Sequence, residues 1–200
     1  MILGISHLCL VTNKNSALRK EILNKYSIKF TIKNLKNNNC KKKFLFTKHK
    51  SHNISFYKKK NYYNIELIEY KKIKEYNNLI NITKDEIAIS VKNPAFEKKI
   101  FKKFAKIKGD YIYKKDAILN SLNFKIKVNK LKVKKRIYLD SEGINTIAFF
   151  CKDIEALRKK FIKLKINVTK IFSIKFLNFK YKIFIAKTKN QIFYEFLETL

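Results

Sequence analysis

Glycine and proline are nearly absent from this 200-residue chain, at three residues and one, and tryptophan is missing altogether. So few turn formers exclude collagen-like and Gly- or Pro-rich low-complexity classes. Arginine occurs only at Arg19, Arg136 and Arg158, and 15 acidic residues face 47 basic ones. A net charge of +32 invites a nucleic-acid reading. Yet almost all of it is lysine, whereas arginine is the side chain that reads bases and clamps phosphates bidentately. The lysines are also dispersed over every predicted element rather than gathered on one face. Abundant Lys, Asn, Ile, Phe and Tyr beside scarce Gly, Pro, Ala and Arg is what an AT-rich coding sequence yields whatever the function. A basic nucleic-acid-binding protein is therefore the outside reading.

Other absences narrow the class further. No apolar run approaches the roughly 18 residues of a membrane helix, and no membrane partner is expected. The opening MILGISHLCLV lacks a basic n-region, so no signal peptide is expected and a cytoplasmic protein is. Cys9, Cys40 and Cys151 are widely spaced with no CxxC pair, and Cys9 and Cys151 read as small core residues of a reducing compartment. No GxSxG, P-loop, dinucleotide fingerprint or Cys–His–Asn arrangement occurs.

What is present is repetition. Four of the 15 acidic residues sit in two apolar runs, Asn64-Ile65-Glu66-Leu67-Ile68-Glu69-Tyr70 and the closing Gln191-Ile192-Phe193-Tyr194-Glu195-Phe196-Leu197-Glu198-Thr199-Leu200. In a strand, Glu66 and Ile68 share one face while Ile65, Leu67 and Glu69 share the other. Glu195 falls with Phe193 and Leu197, opposite Tyr194 and Phe196. A carboxylate flanked by large apolar groups is costly to bury without a partner, which makes it a candidate site residue.

A second echo supports the first. ISHLCLVTNKNSALRKEI (5–22) aligns with INTIAFFCKDIEALRKKF (144–161) at a constant offset of 139, without a gap. Each reads as an apolar strand, a polar turn with Asn or Asp, then a mixed apolar and basic helix. The glutamate runs repeat at an offset of 129, so one copy is about ten residues shorter, and the Lys- and Asn-rich 33–43 stretch reads as the surplus loop. Two long copies point to a duplicated supersecondary unit rather than a solenoid.

Taken in order, the pattern predicts strands at 3–12, 28–32, 44–47, 54–57 and 62–70, with a helix over 17–26. After a polar connection (71–84, with a helical turn around 73–79) come a strand at 86–91 and a helix over 95–106. Asn93-Pro94 starts that helix, and Phe96, Ile100, Phe101 and Phe104 form its apolar face. Strands at 110–113, 122–128 and 131–139 follow. The closing stretch has strands at 144–151, 166–172, 175–186 and 191–198 and a helix over 153–164. The expected class is α+β, built from βαβββ units at 1–70, 71–140 and 141–200, the middle one matching the others in layout alone.

ISHLCLVT before a helix, IELIE closing the first unit, GINTIAFFCKDIEALRKKF opening the last and YEFLE closing it resemble the vicinal oxygen chelate superfamily, the glyoxalase, bleomycin-resistance and extradiol-dioxygenase group. The resemblance covers roughly two thirds of the chain. It implies paired βαβββ units whose curved mixed sheets form a cup, with helices outside and a homodimer as one route to pairing. It also implies a divalent metal (Zn, Ni, Fe or Mn), where one is bound, held by a His or Gln on each unit's first strand and a Glu on each last strand. Carried over, the metal ligands are His7, Glu66 and Glu195. The fourth position is Thr146, a poor ligand for zinc, nickel or iron, and in the middle unit Ile87 stands where a ligand would be.

The resemblance implies a small oxygen-bearing molecule in the cup. A metal there would act as a Lewis acid on two adjacent oxygens, with Glu66 or Glu195 as catalytic base in an isomerase or lyase step or dioxygenase-like chemistry. The alternative is a metal-free, bleomycin-resistance-like binding protein, which the loss of a ligand at Thr146 favours. A lone histidine on an apolar strand is more often a hydrogen-bonded core residue than a ligand, and His49 and His52 in KHKSHN read as a basic loop.

Overall fold

The structure, a computed structural model, describes residues 1–13, 17–36, 51–59, 62–70, 73, 79–83, 86–114, 123–131, 137–176 and 178–200. The first third forms β1 (Ile2–Thr12), α1 (Ala17–Lys25), β2 (Ser27–Lys36), β3 (Ser51–Lys58) and β4 (Ile65–Glu69). The middle forms β5 (Ile80–Ile82), β6 (Ile87–Val91), α2 (Pro94–Phe101), β7 (Lys106–Lys108), β8 (Tyr111–Lys114) and β9 (Phe124–Lys130). The last third forms β10 (Gly143–Cys151), α3 (Ile154–Lys163), β11 (Asn167–Val168), β12 (Phe172–Phe176), β13 (Phe179–Lys187) and β14 (Phe193–Thr199). The class is α+β. Among the described residues no helix is long and apolar enough to cross a membrane.

Two sheets share these strands. Nine strands run β11-β13-β14-β10-β1-β4-β3-β2, with β12 also on β13, and five run β5-β6-β9-β8-β7. In the outer thirds the first strand lies parallel to the last, β1 to β4 and β10 to β14, and in the middle third β6, the second strand, lies parallel to the last, β9. The outer thirds join through antiparallel β1 and β10, with His7 opposite Ala148 and Cys9 opposite Thr146. Since the 139-residue offset equates His7 with Thr146 and Cys9 with Ala148, this crossed pairing is that of two copies related by a local two-fold. In the middle third β5 pairs with β6 on the edge that β1 and β10 use to find each other.

Alternation along the strands sorts the side chains. Leu8, Leu10, Ile65, Leu67, Ile147, Phe149, Tyr194 and Phe196 are buried on the face that meets the helices and the second sheet. Aromatic contacts bind the parts together there: Phe101 of α2 lies 5.5 Å from Phe149 and 5.3 Å from Tyr194, and Phe161 of α3 lies 4.9 Å from Phe196 (ring centroids). Such pairs contribute about 0.5–1.5 kcal/mol each beyond area burial. One hydrophobic cluster thus contains residues of all three thirds.

The paired glutamates of the two echoing runs divide by face. Glu69, on the helix side, accepts a 2.7 Å hydrogen bond from Arg19 Nε of α1. Its counterpart Glu198 accepts from the backbone N–H of Asp153 at 2.5 Å and of Ile154 at 3.4 Å, at the start of α3. Asp153, left-handed at φ 60°, caps the same helix by accepting from Ala156 N at 3.0 Å. Glu198→Ala is expected to lower the thermal midpoint by about 2–4 °C, the effect of about 1 kcal/mol of lost capping in a chain this long. A melt followed by circular dichroism checks this.

Several boundaries differ from expectation. The middle helix ends at Phe101 rather than 106, because the chain turns there, with Phe104 N and Ala105 N both bonded to Phe101 O. Phe104 still packs on the core from the turn, which is why the apolar spacing outlasts the helix. The freed residues make β7, and Gly109 (φ 56°) supplies the left-handed position in the turn to β8. β9 closes the middle unit, and the expected strand at 131–139 is absent from its described part, where 137 and 138 carry no regular structure and a turn follows at 139–140. β2 extends to Lys36, into the stretch read as a loop. The expected strand at 44–47 and most of the turn at 73–79 lie outside the described residues.

Candidate metal centre

On the opposite face of the nine-stranded sheet from the helices, the first and last thirds bring polar side chains together. His7 and Cys9 share a face of β1, Glu66 comes from neighbouring β4, and Glu195 comes from β14 beyond β10. One ring nitrogen of His7, Cys9 Sγ and one oxygen of each carboxylate all lie within 4.8 Å of one another. His7 Nε2 is 3.6 Å from Glu66 Oε2 and 3.9 Å from Glu195 Oε2. Cys9 Sγ donates to Glu66 Oε2 at 2.9 Å and lies 3.8 Å from Glu195 Oε2. The structure therefore brings His7, Glu66 and Glu195 into one site, and Thr146, 2% exposed, stands beside Cys9 on β10.

A β-bulge sets the histidine. Ile5 lies opposite Phe149 and His7 opposite Ala148, so two steps on β1 match one on β10. Ser6 Oγ is 3.0 Å from His7 Nδ1, and Asn64 Nδ2 donates to Ser6 O at 3.0 Å. The other ring nitrogen, Nε2, is buried without a hydrogen-bond partner, since 3.6 Å to a carboxylate is beyond hydrogen-bond length. A buried, unsatisfied nitrogen beside two carboxylates is costly unless something joins them. Phe56 packs edge-on to the His7 ring at 5.5 Å and stacks on Phe30 at 5.3 Å, giving the site one aromatic wall.

The electrostatics are those of a dry, crowded site. Burial disfavours a charged His7, but Glu66 and Glu195 outweigh it and raise its pKa. Burial also works against an ionised Glu66, and His7 overrides it, so that carboxyl sits below its ordinary range. Glu195 goes the other way, pushed up to about 7 by burial and then by the neighbouring Glu66 charge. Burial first and the two carboxylates second hold the Cys9 thiol well above its ordinary value. The side chains of Glu66 and Glu195 remain 19% and 15% exposed, so the cluster opens to solvent through its carboxylates.

Sequence reasoning missed Cys9, reading it as a small core residue. The signal was its i, i+2 spacing from His7, which puts both on one strand face. His52 is also corrected: it lies in β3 rather than a loop, on the face shared with Phe56, and its ring is 5.3 Å from Tyr70. Burial lowers its pKa, against the pull of the Glu66 charge, and its Nδ1 is buried without a partner. His49 lies outside the described residues.

The middle third holds no such cluster among its described residues. Ala88 lies opposite Lys127 as Cys9 lies opposite Glu66. The positions matching His7 and Glu66 are therefore Glu86 and Lys127, and Ile87, one residue along, points into the core. A cleft of about 930 Å³ does open on this sheet, between Tyr63, Tyr111, Tyr113, Phe124 and several lysines. Its walls set ammonium groups over rings, Lys125 lying 4.6 Å from the Tyr111 centroid, and no metal-ligand cluster. Among the described residues, the cluster of metal-ligating side chains lies at the β1–β10 seam.

No family model and no curated protein matches the sequence. Solved structures do. Methylmalonyl-CoA epimerase from Mycobacterium tuberculosis aligns at TM-score 0.48 and 7% identity, over 100% of this chain and 89% of that one. A glyoxalase I variant from Zea mays aligns at 0.38 and 15%, over 98% and 67%. A Bacillus subtilis protein described as a dioxygenase aligns at 0.40 and 10%, over 98% of this chain and 62% of its own length. These are vicinal oxygen chelate proteins. All three TM-scores lie below 0.5 and all three identities at 15% or less, so the likeness assigns no residue a role.

Proposed function

We propose that the chain binds a small oxygen-bearing molecule against the His7–Glu66–Glu195 cluster and, with a divalent metal held there, converts it by isomerase or lyase chemistry. The observation that carries this reading is the convergence of imidazole, thiol and two carboxylates around a buried His7 Nε2 that has no partner. The donor set suits a metal: tetrahedral coordination at ordinary zinc bond lengths spaces donors about 3.3–3.7 Å apart, and the observed 2.9–3.9 Å from Glu66 and Glu195 to His7 and Cys9 bracket that spacing within a cluster no wider than 4.8 Å. His7, Glu66 and Glu195 would hold it. When bound, a metal supplies Lewis acidity toward substrate oxygens.

The chain's own residues do the rest. With Nδ1 protonated and donating to Ser6 Oγ, His7 keeps its Nε2 lone pair turned into the cluster. Phe30 and Phe56 exclude water from one side and offer an apolar surface to a ligand's carbon skeleton. Glu195 keeps partial access to solvent and is the group to accept a proton from a bound substrate and return it, through the carboxylate oxygen that does not face the cluster.

Elemental mass spectrometry of the dialysed, untagged protein tests the reading. About one divalent ion per chain, present on purification or acquired from zinc, nickel, iron or manganese, is the expected result. No retained metal after all four overturns it and leaves a metal-free binding cup.

A further inference from the structure

We propose that Cys9 is the fourth ligand of this centre, replacing the side chain that Thr146 cannot supply, and that its sulfur turns the site toward thiophilic metals. The inference rests on the metal reading above and adds a donor to it. Equivalence at the 139-residue offset makes Thr146 the counterpart of His7, so a two-fold site built from identical units would take one ligand from each. Threonine's hydroxyl is a weak neutral donor. Cys9 is the residue directly opposite Thr146 across the β1–β10 seam, so its side chain leaves the same patch of the same face. The vacated coordination role can pass sideways by one strand without any change in backbone.

Three observations support the transfer. Cys9 Sγ is 2.9 Å from Glu66 Oε2 and 3.8 Å from Glu195 Oε2, as close to both carboxylates as His7 Nε2 is. Cys9 is 3% exposed, so its sulfur faces the cluster and little else. His7 Nε2, on a side chain 7% exposed, is buried and unpartnered, and a ring nitrogen of His7 lies within 4.8 Å of that sulfur. A cation that satisfied His7 Nε2 beside Glu66 and Glu195 would have the Cys9 sulfur among its nearest donors. Binding replaces the S–H bond with a sulfur–metal bond and releases one proton to water.

The chemistry that follows differs from an all-nitrogen-and-oxygen site. Thiolate favours zinc, cobalt and cadmium, while manganese prefers carboxylate and water. The probe is Co²⁺ titrated into the full-length protein, read by absorption and by elemental analysis of the same sample. The expected result is stoichiometric cobalt with an intense near-ultraviolet sulfur-to-cobalt charge-transfer band. Cys9→Ser should remove that band while cobalt remains bound through His7, Glu66 and Glu195, and Cys151→Ser should leave it unchanged. The preference for zinc over manganese should narrow by about tenfold or more in Cys9→Ser. Stoichiometric cobalt without the band in the unmutated protein, or a band that survives Cys9→Ser, overturns the role of Cys9 and leaves the three-ligand reading standing. Absence of bound cobalt together with the other metals overturns both. The spectrum of the unmutated protein decides the question even if the serine variant fails to fold.

Discussion

His7→Ala is expected to weaken binding of a divalent metal by more than about a hundredfold, and Glu195→Ala to do the same, with the far-ultraviolet circular dichroism of both unchanged. Loss of an outer-shell partner already costs about 10–100-fold in metal affinity, and these residues would be direct ligands. They come from different thirds of the chain, so the two variants together test whether the site spans the β1–β10 seam. The fold should tolerate both changes. Phe149, Tyr194 and Phe196, which hold the sheet to the helices, lie on the other face. Competition against a chromophoric chelator measures the affinity. Full metal occupancy in either variant would falsify the assignment of that ligand.

Much of this site was legible in the sequence because strand alternation and a parallel pairing leave little freedom. Once 5–22 and 144–161 are seen as copies, Glu66 and Glu195 fall on equivalent last strands, each beside its own first strand. The second glutamate of each run falls on the other face by the same alternation, and both serve helices, Glu69 through Arg19 and Glu198 through the α3 N-terminus. What could not be read was lateral. Glu195 joins His7, Cys9 and Glu66 because β1 and β10 pair antiparallel with His7 opposite Ala148, a register fixed by long-range contact. A local pattern shows which face a residue takes but not which neighbour it meets. The same limit hid β5, three residues whose strand character comes from pairing with β6. It also hid Glu97, a buried position of α2 that the spacing of the helix's apolar residues does not reveal.

Glu97 carries the second large effect. It is 0% exposed on α2, where it accepts hydrogen bonds from Thr188 Oγ1 at 2.6 Å and from Tyr194 OH at 3.3 Å. Beside it, Asn93 N donates to Asn190 Oδ1 and Asn190 Nδ2 donates back to Asn93 O, both at 2.9 Å, so polar bonds join the middle third to the β13–β14 turn. Burial pushes the Glu97 carboxyl up to about 7, against the hydroxyl and amide contacts that pull it down. A carboxyl whose folded pKa exceeds its unfolded value of 4.5 binds its proton more tightly when folded. Its contribution to stability is therefore full below about pH 4.5, declines as pH rises toward 7, and is lost above that. The interval corresponds to about 3 kcal/mol, or roughly 6–12 °C in a chain of this length. Glu97→Gln keeps the shape, with Oε1 accepting from Thr188 and the amide donating to the Tyr194 hydroxyl, and it has no charge to bury. The variant is thus expected to match the parent near pH 5 and to melt several degrees higher at pH 8. Parallel melting curves of the two proteins between pH 5 and 8 would detect the divergence. Equal slopes would show that Glu97 titrates in the folded protein as it does in the unfolded one, because water reaches it and relieves the burial.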